Sequence, residues 1–385
     1  MAKKDIIQVE KKIRVVVAMS GGVDSSVAAA LLKKQKYDVV GVFMRFWHES
    51  QNDAKGVNTK ERRNTCCSEG AEAAARAVAA KLGISFYVLR LEKEFKKEVV
   101  DYFLAEEKKG RTPNPCVVCN KKIKFGLLFE KALALGADFI ATGHYARLQR
   151  EITNSKSQTK LFKAKDENKD QSYFLYTLNQ KQLSRVLFPV GDYTKDEVYK
   201  MAKKWKLPYR QDESFDLCFV ERDRESFIRR YLKIKTGDIR DIGENILGQH
   251  QGLTFYTIGQ RKNISLNRGP WWVIKKDERK NILYVSNNEK DLYGDELFAY
   301  HLSWLGGETP KMPTEVLAKI RYKSELAKST IRPALRRRLR QGEQAQGKNY
   351  IKVIFEKTQR AITPGQSVVF YNNKGELLGG GVIHN

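Results

Sequence analysis

The sequence predicts an α/β protein: a first domain built on a parallel β-sheet, a small central domain, and a C-terminal domain like a β-barrel. In the first half of the 385 residues, continuous β-branched runs alternate with segments of helical spacing. This alternation is typical of a parallel sheet with helices on both faces. After about residue 208, strand-like runs separated by Asn and Gly replace it, which indicates β-rich domains. We therefore expect domains at 1–208, 209–290 and 291–385.

The elements of the first domain follow in chain order. Residues 13–19 form a β-branched run typical of a strand buried on both faces, and a helix follows the glycine loop after it. An Ala-rich helix is expected at 71–82, with Gly83 as its C-cap. We expect further strands at 37–44, 84–89 and 137–143, and a helix at 123–135.

The rest of the chain is predicted from shorter runs. Residues 151–160 are polar and suggest the tip of a hairpin. Segment 332–347 has five arginines between positions 332 and 340; it is either an exposed basic loop, which we favour, or an RNA-contact surface. We expect strands at 253–259, 271–276, 281–286, 315–322, 349–356 and 367–372.

Charge and cysteine content restrict the class of protein. Lys and Arg total 71 and Asp and Glu total 45, and the net charge of +26 suits a nucleic-acid partner unless the whole proteome is basic. Five cysteines, two of them in a C-x-x-C, exclude a disulfide scaffold and indicate a reducing compartment. No apolar run approaches the ~18 residues of a membrane span, and residues 1–12 lack the apolar core of a secretory signal. We expect a cytoplasmic protein with no membrane partner.

A glycine loop, Ser20-Gly21-Gly22-Val23-Asp24-Ser25, lies between the first strand and the first helix. Two glycines allow a tight turn and leave no Cβ in the way of a ligand, so the N–H groups of the turn and of the helix start form an anion site. The loop lacks the Gly-Lys-Ser/Thr ending of a Walker A loop and the spacing of G-x-G-x-x-G. It therefore predicts neither γ-phosphoryl transfer nor dinucleotide binding. An ordinary turn is the plain alternative.

Three groups of cysteines are candidates for chemistry. Cys116 and Cys119 follow two prolines, which place Cys119 near the start of a helix over 121–135, where a thiolate is favoured. Cys218 is a third candidate thiol, whereas the vicinal pair at 66–67 suits buried small side chains. Three thiols allow a sulfur relay that ends in a disulfide. They also allow a metal or iron–sulfur site, although no second C-x-x-C is present for zinc.

The motifs together resemble the MnmA/TrmU family of tRNA-uridine 2-sulfurtransferases, and the resemblance spans nearly the whole chain. The glycine loop is similar to the PP-loop of ATP pyrophosphatases, so the first domain is expected to be a PP-loop ATP pyrophosphatase domain. The matching segments are SGGVDSSV (20–27), GVFMRFW (41–47), CCS (66–68), RTPNPCVVCNKKIKF (111–125), ATGHYAR (141–147), KDQSYFLY (169–176), SFDLCFV (214–220), GLTFYTIGQRK (252–262), IRY (320–322), PGQSVVFY (364–371) and LGGGVI (378–383).

The resemblance implies an ATP-dependent 2-thiolation of the wobble uridine of tRNA, with Mg²⁺ as a cofactor. The uridine C2 oxygen is adenylated, and a persulfide sulfur then replaces AMP; pyrophosphate is the other product. Cys119 matches the nucleophile and Cys218 the persulfide-bearing cysteine, which would form a transient disulfide. The implied partners are tRNA and a persulfide sulfur donor or carrier protein.

The resemblance also implies three groups of binding residues and no metal ligand. The ATP site comprises Ala18, Met19, Ser20, Gly21, Gly22, Val23, Asp24 and Ser25, with Met44 against the adenine and Gly143 near the nucleotide. The segment that meets the target base comprises Asn114, Pro115 and Cys116. The positions that match tRNA contacts are His144, Lys169, Asp170, Gln171, Arg321, Tyr322 and Gln366.

One departure and two alternatives stand beside this interpretation. Many members of the family carry Asp where this chain has Cys116, and a thiol with a pKa near ~8.5 is not an equivalent base. A PP-loop amidotransferase or ligase that acts on a small molecule needs neither the Cys119 and Cys218 pair nor a β-rich C-terminal third. A non-catalytic RNA-binding module needs neither an intact glycine loop nor both cysteines. Cleavage of ATP to AMP and pyrophosphate that depends on tRNA separates the three.

Overall fold

The computed structural model describes residues 12–47, 68–153, 156–210, 217–220, 223–264, 266–267, 269–334 and 350–384. The cysteine pair at 66–67 and most of the arginine-rich segment 332–347 lie outside these residues, so the predictions for them stay predictions. In the part of the chain that is described, no helix is both long and apolar enough to cross a lipid bilayer.

The first domain has a parallel sheet of five strands in the order β3-β2-β1-β4-β7. Its elements are β1 Arg14–Ala18, α1 Val23–Lys34, β2 Asp38–Arg45, α2 Glu69–Leu82, β3 Ser85–Arg90, α3 Glu92–Phe95, α4 Asp101–Lys108, α5 Pro115–Cys119, α6 Leu128–Ala134, β4 Phe139–Ala141, β5 Arg147–Thr153, β6 Lys156–Phe162, α7 Gln180–Leu183, β7 Val186–Leu187 and α8 Lys195–Lys204. A π-helical segment, Lys96–Val100, joins α3 to α4, and another, Asn120–Leu127, joins α5 to α6.

Both faces of this sheet are covered, as the β-branched runs predict. Val15 and Val17 of β1 pack with α1 and α2, whereas Val16 and Ala18 pack with the helices from α3 to α6. The predicted C-cap is confirmed: Gly83 has a φ of 60° and its N–H donates to Ala80 O, which ends α2. The predicted hairpin is present as the paired strands β5 and β6.

The helix that carries the C-x-x-C begins earlier than the sequence predicts. Pro115 occupies the first position of α5, and Asn114 caps it by accepting a hydrogen bond from the Val117 N–H at 3.4 Å. Proline is tolerated there because its missing N–H would have no partner within the helix. The prediction of a start at 121 was therefore wrong, and Cys116 and Cys119 both lie in the first turns of the helix.

Among its described residues, the central domain has one α-helix and a four-stranded sheet in the order β10-β11-β8-β9. Its elements are α9 Arg224–Tyr231, β8 Gly237–Arg240, β9 Ile246–His250, β10 Trp272–Asp277 and β11 Ile282–Ser286. The strand predicted at 253–259 is wrong, because Leu253–Phe255 forms a 3₁₀ turn. Gly252 and Gly259, at the two ends of this run, both have positive φ, which an extended strand does not allow.

The C-terminal domain is a closed barrel in the order β12-β15-β14-β13-β16-β17, as predicted. Its strands are β12 Tyr293–Trp304, β13 Thr314–Lys319, β14 Ala327–Pro333, β15 Ile351–Arg360, β16 Ser367–Tyr371 and β17 Leu377–Ile383. Alternation on β15 buries Val353 and Phe355 in the barrel core. The three-part α/β and β architecture is therefore confirmed, whereas the exact domain boundaries stay predictions.

The barrel packs on the first domain through a 3₁₀ turn, Ser172–Leu175. Within it, the Tyr173 hydroxyl donates to Ser367 O at 2.9 Å, and the Ser172 and Tyr371 hydroxyls are 3.0 Å apart. Burial raises the pKa of Tyr173 and Tyr371, so both phenols stay protonated at ordinary pH. This joint sets the position of strand β16 relative to helix α5.

Candidate active site

Three segments meet at the carboxyl edge of the parallel sheet, where ligands bind in open α/β sheets. The glycine loop follows β1, Met44 lies near the end of β2, and Gly143 follows β4. A Cβ on Gly143 would come within 2.6 Å of the Ser25 N and 2.7 Å of the Asp24 carbonyl carbon. The predicted nucleotide residues are therefore brought together at one edge of the sheet, with Gly143 packed against the start of α1. We name this edge, with residues 18–25, Met44 and Gly143, the nucleotide edge.

The glycine loop is closed by its own serine. The Ser20 N–H donates to Ser25 Oγ, and Ser25 Oγ donates to Gly22 O, both at 3.1 Å. Gly21 has a φ of 78°, and a side chain there would collide with the backbone of Ala71 at the start of α2. The loop is thus a tight turn that leads directly into the N-terminus of a twelve-residue helix, which favours an anion.

Asp24 is held by two partners from distant parts of the chain. The Lys195 ammonium lies 2.8 Å from each carboxylate oxygen of Asp24, and the Tyr145 hydroxyl donates to Asp24 Oδ1 at 2.8 Å. Burial, followed by the Asp24 charge, raises the pKa of Tyr145, so this hydroxyl keeps its proton. Because Lys195 neutralises Asp24, the carboxylate does not oppose an anion at the loop.

The same pairing bears on the predicted Mg²⁺. Both oxygens of Asp24 are occupied by Lys195. Among the residues that the structure describes, no group of three His, Cys, Asp or Glu side chains could hold a metal ion. The Mg²⁺ cofactor therefore stays a prediction.

The C-x-x-C thiols lie on α5. Cys119 is 7% exposed, Cys116 is half-buried, and both are reduced. Cys119 belongs to a hydrophobic cluster that also includes Ala18 and Met44 of the nucleotide edge. The predicted nucleophile thus shares one core with the carboxyl ends of β1 and β2.

Cys218 packs against the same cluster as Cys119. Its neighbour Phe219 anchors it: the Phe219 ring centroid lies 5.4 Å from that of Phe103 and 5.6 Å from that of Phe227. Cys218 is half-buried and reduced. The fold therefore brings both predicted relay thiols to one cluster, although they are far apart in the sequence.

Comparison with known proteins agrees with this arrangement. The family model described as tRNA methyl transferase HUP domain matches residues 13–222, more than half of the chain. A tRNA methyl transferase PRC-barrel domain matches 225–287, and an aminomethyltransferase beta-barrel domain matches 294–383. The tRNA-specific 2-thiouridylase MnmA 2 of Thermoanaerobacter sp. (strain X514) is 44% identical over 96% of this chain and 97% of its own length.

The chain belongs to the tRNA-specific 2-thiouridylase (MnmA) family. The MnmA of Clostridioides difficile (strain 630) is 41% identical over 96% of this chain and 98% of its own length. The MnmA 2 of Clostridium tetani (strain Massachusetts / E88) is 43% identical over 97% of this chain and 99% of its own. The family predicted from the motifs is confirmed, and the identity extends across all three parts of the fold.

Several positions predicted to contact tRNA in this 2-thiouridylase family have structural partners. His144 is buried between the Phe125 and Phe188 rings, and its Nδ1 is 2.7 Å from Thr142 Oγ1. Burial, followed by the charge of Lys124, lowers the pKa of His144 well below its usual value, so the imidazole is neutral. Its contact with tRNA stays a prediction.

Asp170 and Gln171 fix the turn before the 3₁₀ segment. Asp170 is 2% exposed, and its Oδ1 accepts hydrogen bonds from the Ala164 and Ser172 N–H groups. Gln171 Oε1 accepts from the Tyr145 N–H at 3.0 Å. Lys169 precedes them and is half-buried. The side chains of Asp170 and Gln171 thus fix the backbone beside the nucleotide edge.

Arg321, Tyr322 and Gln366 lie where the barrel meets the other two domains. Arg321 Nη2 donates to Thr363 Oγ1 at 2.5 Å within the barrel. The Tyr322 ring lies 4.6 Å from that of Phe174. Gln366 Nε2 donates to Thr112 O at 2.9 Å, which is in the segment that leads to the C-x-x-C. Of these three residues, Gln366 contacts the segment that precedes α5.

Sequence reasoning missed three residues at the site. Lys195 and Tyr145 hold Asp24, and Asn120 is 2% exposed beside Cys119 with its Nδ2 donating to Phe174 O. Tyr145 and Asn120 lie inside matched motifs, which was an available signal. Lys195 follows the N-cap Thr194 in an ordinary capping box, so no local pattern distinguishes it.

Proposed function

We propose that this protein catalyses the ATP-dependent 2-thiolation of the wobble uridine of tRNA. The observation that carries the proposal is the single hydrophobic cluster that joins Ala18 and Met44 of the nucleotide edge to Cys119, with Cys218 packed against it. A core that joins two thiols to the end of the strand from which the anion-binding loop starts suits a reaction that activates a base with ATP and then delivers sulfur. The curated relatives are named tRNA-specific 2-thiouridylases.

The first step activates a poor electrophile. The uridine C2 oxygen attacks the α-phosphorus of ATP, the P–O bond to pyrophosphate breaks, and the base carries AMP on that oxygen. The N-terminus of α1 and the N–H groups of the glycine loop bind the leaving pyrophosphate by their positive end. Lys195 contributes by cancelling the Asp24 charge that would otherwise repel it.

The second step moves sulfur. The terminal sulfur of a persulfide on Cys218 attacks C2, and the C2–O bond to AMP breaks. The Cys119 thiolate then attacks the Cys218 Sγ, which releases 2-thiouridine and leaves a Cys119–Cys218 disulfide. A cellular thiol reductant restores both thiols.

The finer assignments belong to the same proposal. The base leaves its stack to reach the segment of Asn114, Pro115 and Cys116, as bases do when enzymes act on them. Mg²⁺ in such sites is bound largely through substrate phosphates, so it would arrive with ATP rather than reside on the protein. We further propose a persulfide donor or carrier protein as partner and the cytoplasm as location, since thiols stay reduced there.

The test combines tRNA, ATP, Mg²⁺ and a persulfide donor with the purified chain. We expect 2-thiouridine at the wobble position by mass spectrometry of nucleosides, together with AMP and pyrophosphate that form only when tRNA is present. ATP cleavage that does not depend on tRNA would instead favour a small-molecule ligase. Binding of tRNA without ATP cleavage would favour a non-catalytic RNA-binding module.

A further inference from the structure

The segment that leads to the C-x-x-C is held by the barrel rather than by its own domain. Gln366 Nε2 donates to Thr112 O at 2.9 Å and lies 3.4 Å from Pro113 O, although 254 positions separate Gln366 from Thr112. The Thr112 N–H donates in turn to Pro364 O at 3.0 Å. Backbone groups on both sides of the Thr112–Pro113 bond are therefore anchored in residues 361–366, which we name the clamp turn.

The clamp turn lies directly against this segment. Gly365 has a φ of 91°, and a Cβ there would come within 3.0 Å of Arg111 Cβ and of the Thr112 N. The segment continues into Asn114, which caps α5. The position of the clamp turn therefore determines where the first turn of α5, with Cys116, begins.

Arg321 fixes the clamp turn to the central domain. Its Nη2 donates to Ala361 O and Thr363 Oγ1, both at 2.5 Å, and to Ile258 O of the central domain at 3.1 Å. Thr363 is 2% exposed and its hydroxyl also donates to Ala361 O. The Arg321 guanidinium thus links the central domain to the clamp turn, which holds the segment that leads to the C-x-x-C.

We propose that Arg321 and Gln366 are positioning residues that act through the clamp turn to place the C-x-x-C helix, rather than side chains that supply affinity for tRNA. Arg321 Nη2 and Gln366 Nε2 are already directed at protein oxygens of three domains. This inference rests on the proposed function, because it concerns the segment that meets the target base. It follows that Cys119 takes a productive position only when the central domain and the barrel pack correctly against the first domain.

The test separates placement from tRNA binding. In Gln366→Leu the amide is lost while the size of the side chain is kept. Gln366→Asn keeps the amide but is too short to reach Thr112, so it repeats the test with a polar side chain. We expect tRNA affinity within about two-fold of wild type, and a single-turnover rate of 2-thiouridine formation at saturating tRNA about ten-fold lower, because small displacements of reacting groups are costly.

The experiment also includes a matched control variant and a second measurement, the rate of alkylation of Cys119. Gln359 lies on the same barrel, and in the part of the chain that is described its Nε2 donates to Lys357 O and Thr358 O of its own strand, so Gln359→Leu is expected to change neither quantity. The rate of alkylation of Cys119, which is 7% exposed, is expected to rise about ten-fold in Gln366→Leu as the segment loosens. Arg321→Lys keeps the charge, but its ammonium cannot donate to all three oxygens. We expect it to lower the rate of 2-thiouridine formation and to raise the rate of Cys119 alkylation.

Two results would overturn the inference. One is a loss of tRNA affinity with a normal rate at saturation, which would make these side chains tRNA contacts. The other is a Gln366→Leu variant with normal rate and normal Cys119 alkylation. If wild type makes no 2-thiouridine, the proposed function fails, and the alkylation rates alone still decide whether the clamp turn places the segment.

Discussion

The Lys195 ammonium lies 2.8 Å from both carboxylate oxygens of Asp24, across 171 positions of sequence. The pair joins α8 to the first turn of α1, beside the glycine loop. Its electrostatic consequence is that the loop presents a helix N-terminus without an uncompensated negative charge.

Removal of Lys195 is therefore expected to weaken ATP binding. In Lys195→Met, Asp24 keeps its charge next to the phosphates, and we expect the Kd for ATP to rise about ten-fold, equal to about 1.4 kcal/mol. Asp24→Asn in the same chain removes the repulsion and is expected to restore part of the affinity. Isothermal titration measures both. Lys200→Met, an exposed change on the same helix, is the control; a double variant weaker than Lys195→Met would contradict the argument.

Gly143→Ala is expected to disrupt the nucleotide edge. The new Cβ would meet the Ser25 N at 2.6 Å and the Asp24 carbonyl carbon at 2.7 Å, distances that force backbone apart. We expect tRNA-dependent pyrophosphate release to fall at least about ten-fold, since displaced groups are costly in catalysis. Gly70→Ala is the control, because the nearest atom to its Cβ would be 3.9 Å away. Normal pyrophosphate release by Gly143→Ala would contradict this prediction, because it would mean that the segment at Gly143 moves away from the start of α1 at little cost.

The two relay thiols are expected to be distinguishable after one turnover. Without reductant, wild type should yield a Cys119–Cys218 disulfide in peptide mass spectrometry. Cys119→Ser should retain sulfur on Cys218, because nothing cleaves the persulfide bond, and Cys218→Ser should not load sulfur. Cys116→Ser should still form the Cys119–Cys218 disulfide.

An iron–sulfur or zinc site held by the three cysteines predicts a different pattern. Each of the three substitutions would then lower metal content and activity together. Metal analysis of the anaerobically purified proteins decides between the two. Stoichiometric metal in wild type that every variant loses would contradict the relay.

Binding of tRNA is expected to weaken steeply with salt. A net charge of +26 neutralises phosphates and releases their counterions. We expect the Kd to rise about a hundred-fold between about 50 mM and about 200 mM salt. Fluorescence anisotropy with labelled tRNA measures it, with an uncharged oligonucleotide analogue as control. A flat profile would argue against a phosphate-dominated partner.

Lys276 is expected to give stability a dependence on alkaline pH. Its Nζ donates to Tyr256 O at 2.7 Å beside the buried Glu107–Arg224 ion pair. Burial, partly offset by Glu107, lowers the pKa of Lys276 to about 8. Between that value and the pKa of ~10.4 in the unfolded chain, only the unfolded state binds the proton, so stability rises with pH in this window.

The comparison that isolates this effect is wild type against Lys276→Met. The free energy of unfolding of wild type minus that of Lys276→Met is expected to rise by up to about 3 kcal/mol between pH 8 and pH 10.5. Chemical denaturation at several pH values measures it. A difference that does not change with pH would mean that the pKa of Lys276 is not lowered in the folded chain, as for an ammonium that stays solvated.

Most of the architecture was predictable because it depends on local patterns. The runs of β1 and β2, the αL cap at Gly83 and the alternation on β15 follow from periodicity and backbone preference. The errors have local causes as well. The helix start at Pro115 and the turn at 253–255 were missed because proline at a first helical position and glycines of positive φ override the apolar pattern.

The sequence by itself determined the fold class, the family, the glycine loop and the candidate thiols, because each is written in contiguous residues. Only the tertiary structure decided that Asp24 pairs with Lys195, and that Gln366 holds the carbonyl of Thr112. Such pairs join segments that lie more than a hundred positions apart, and their geometry depends on how the sheet, the central domain and the barrel pack together. Periodicity records which face of an element is buried, but it does not record which distant side chain meets it there.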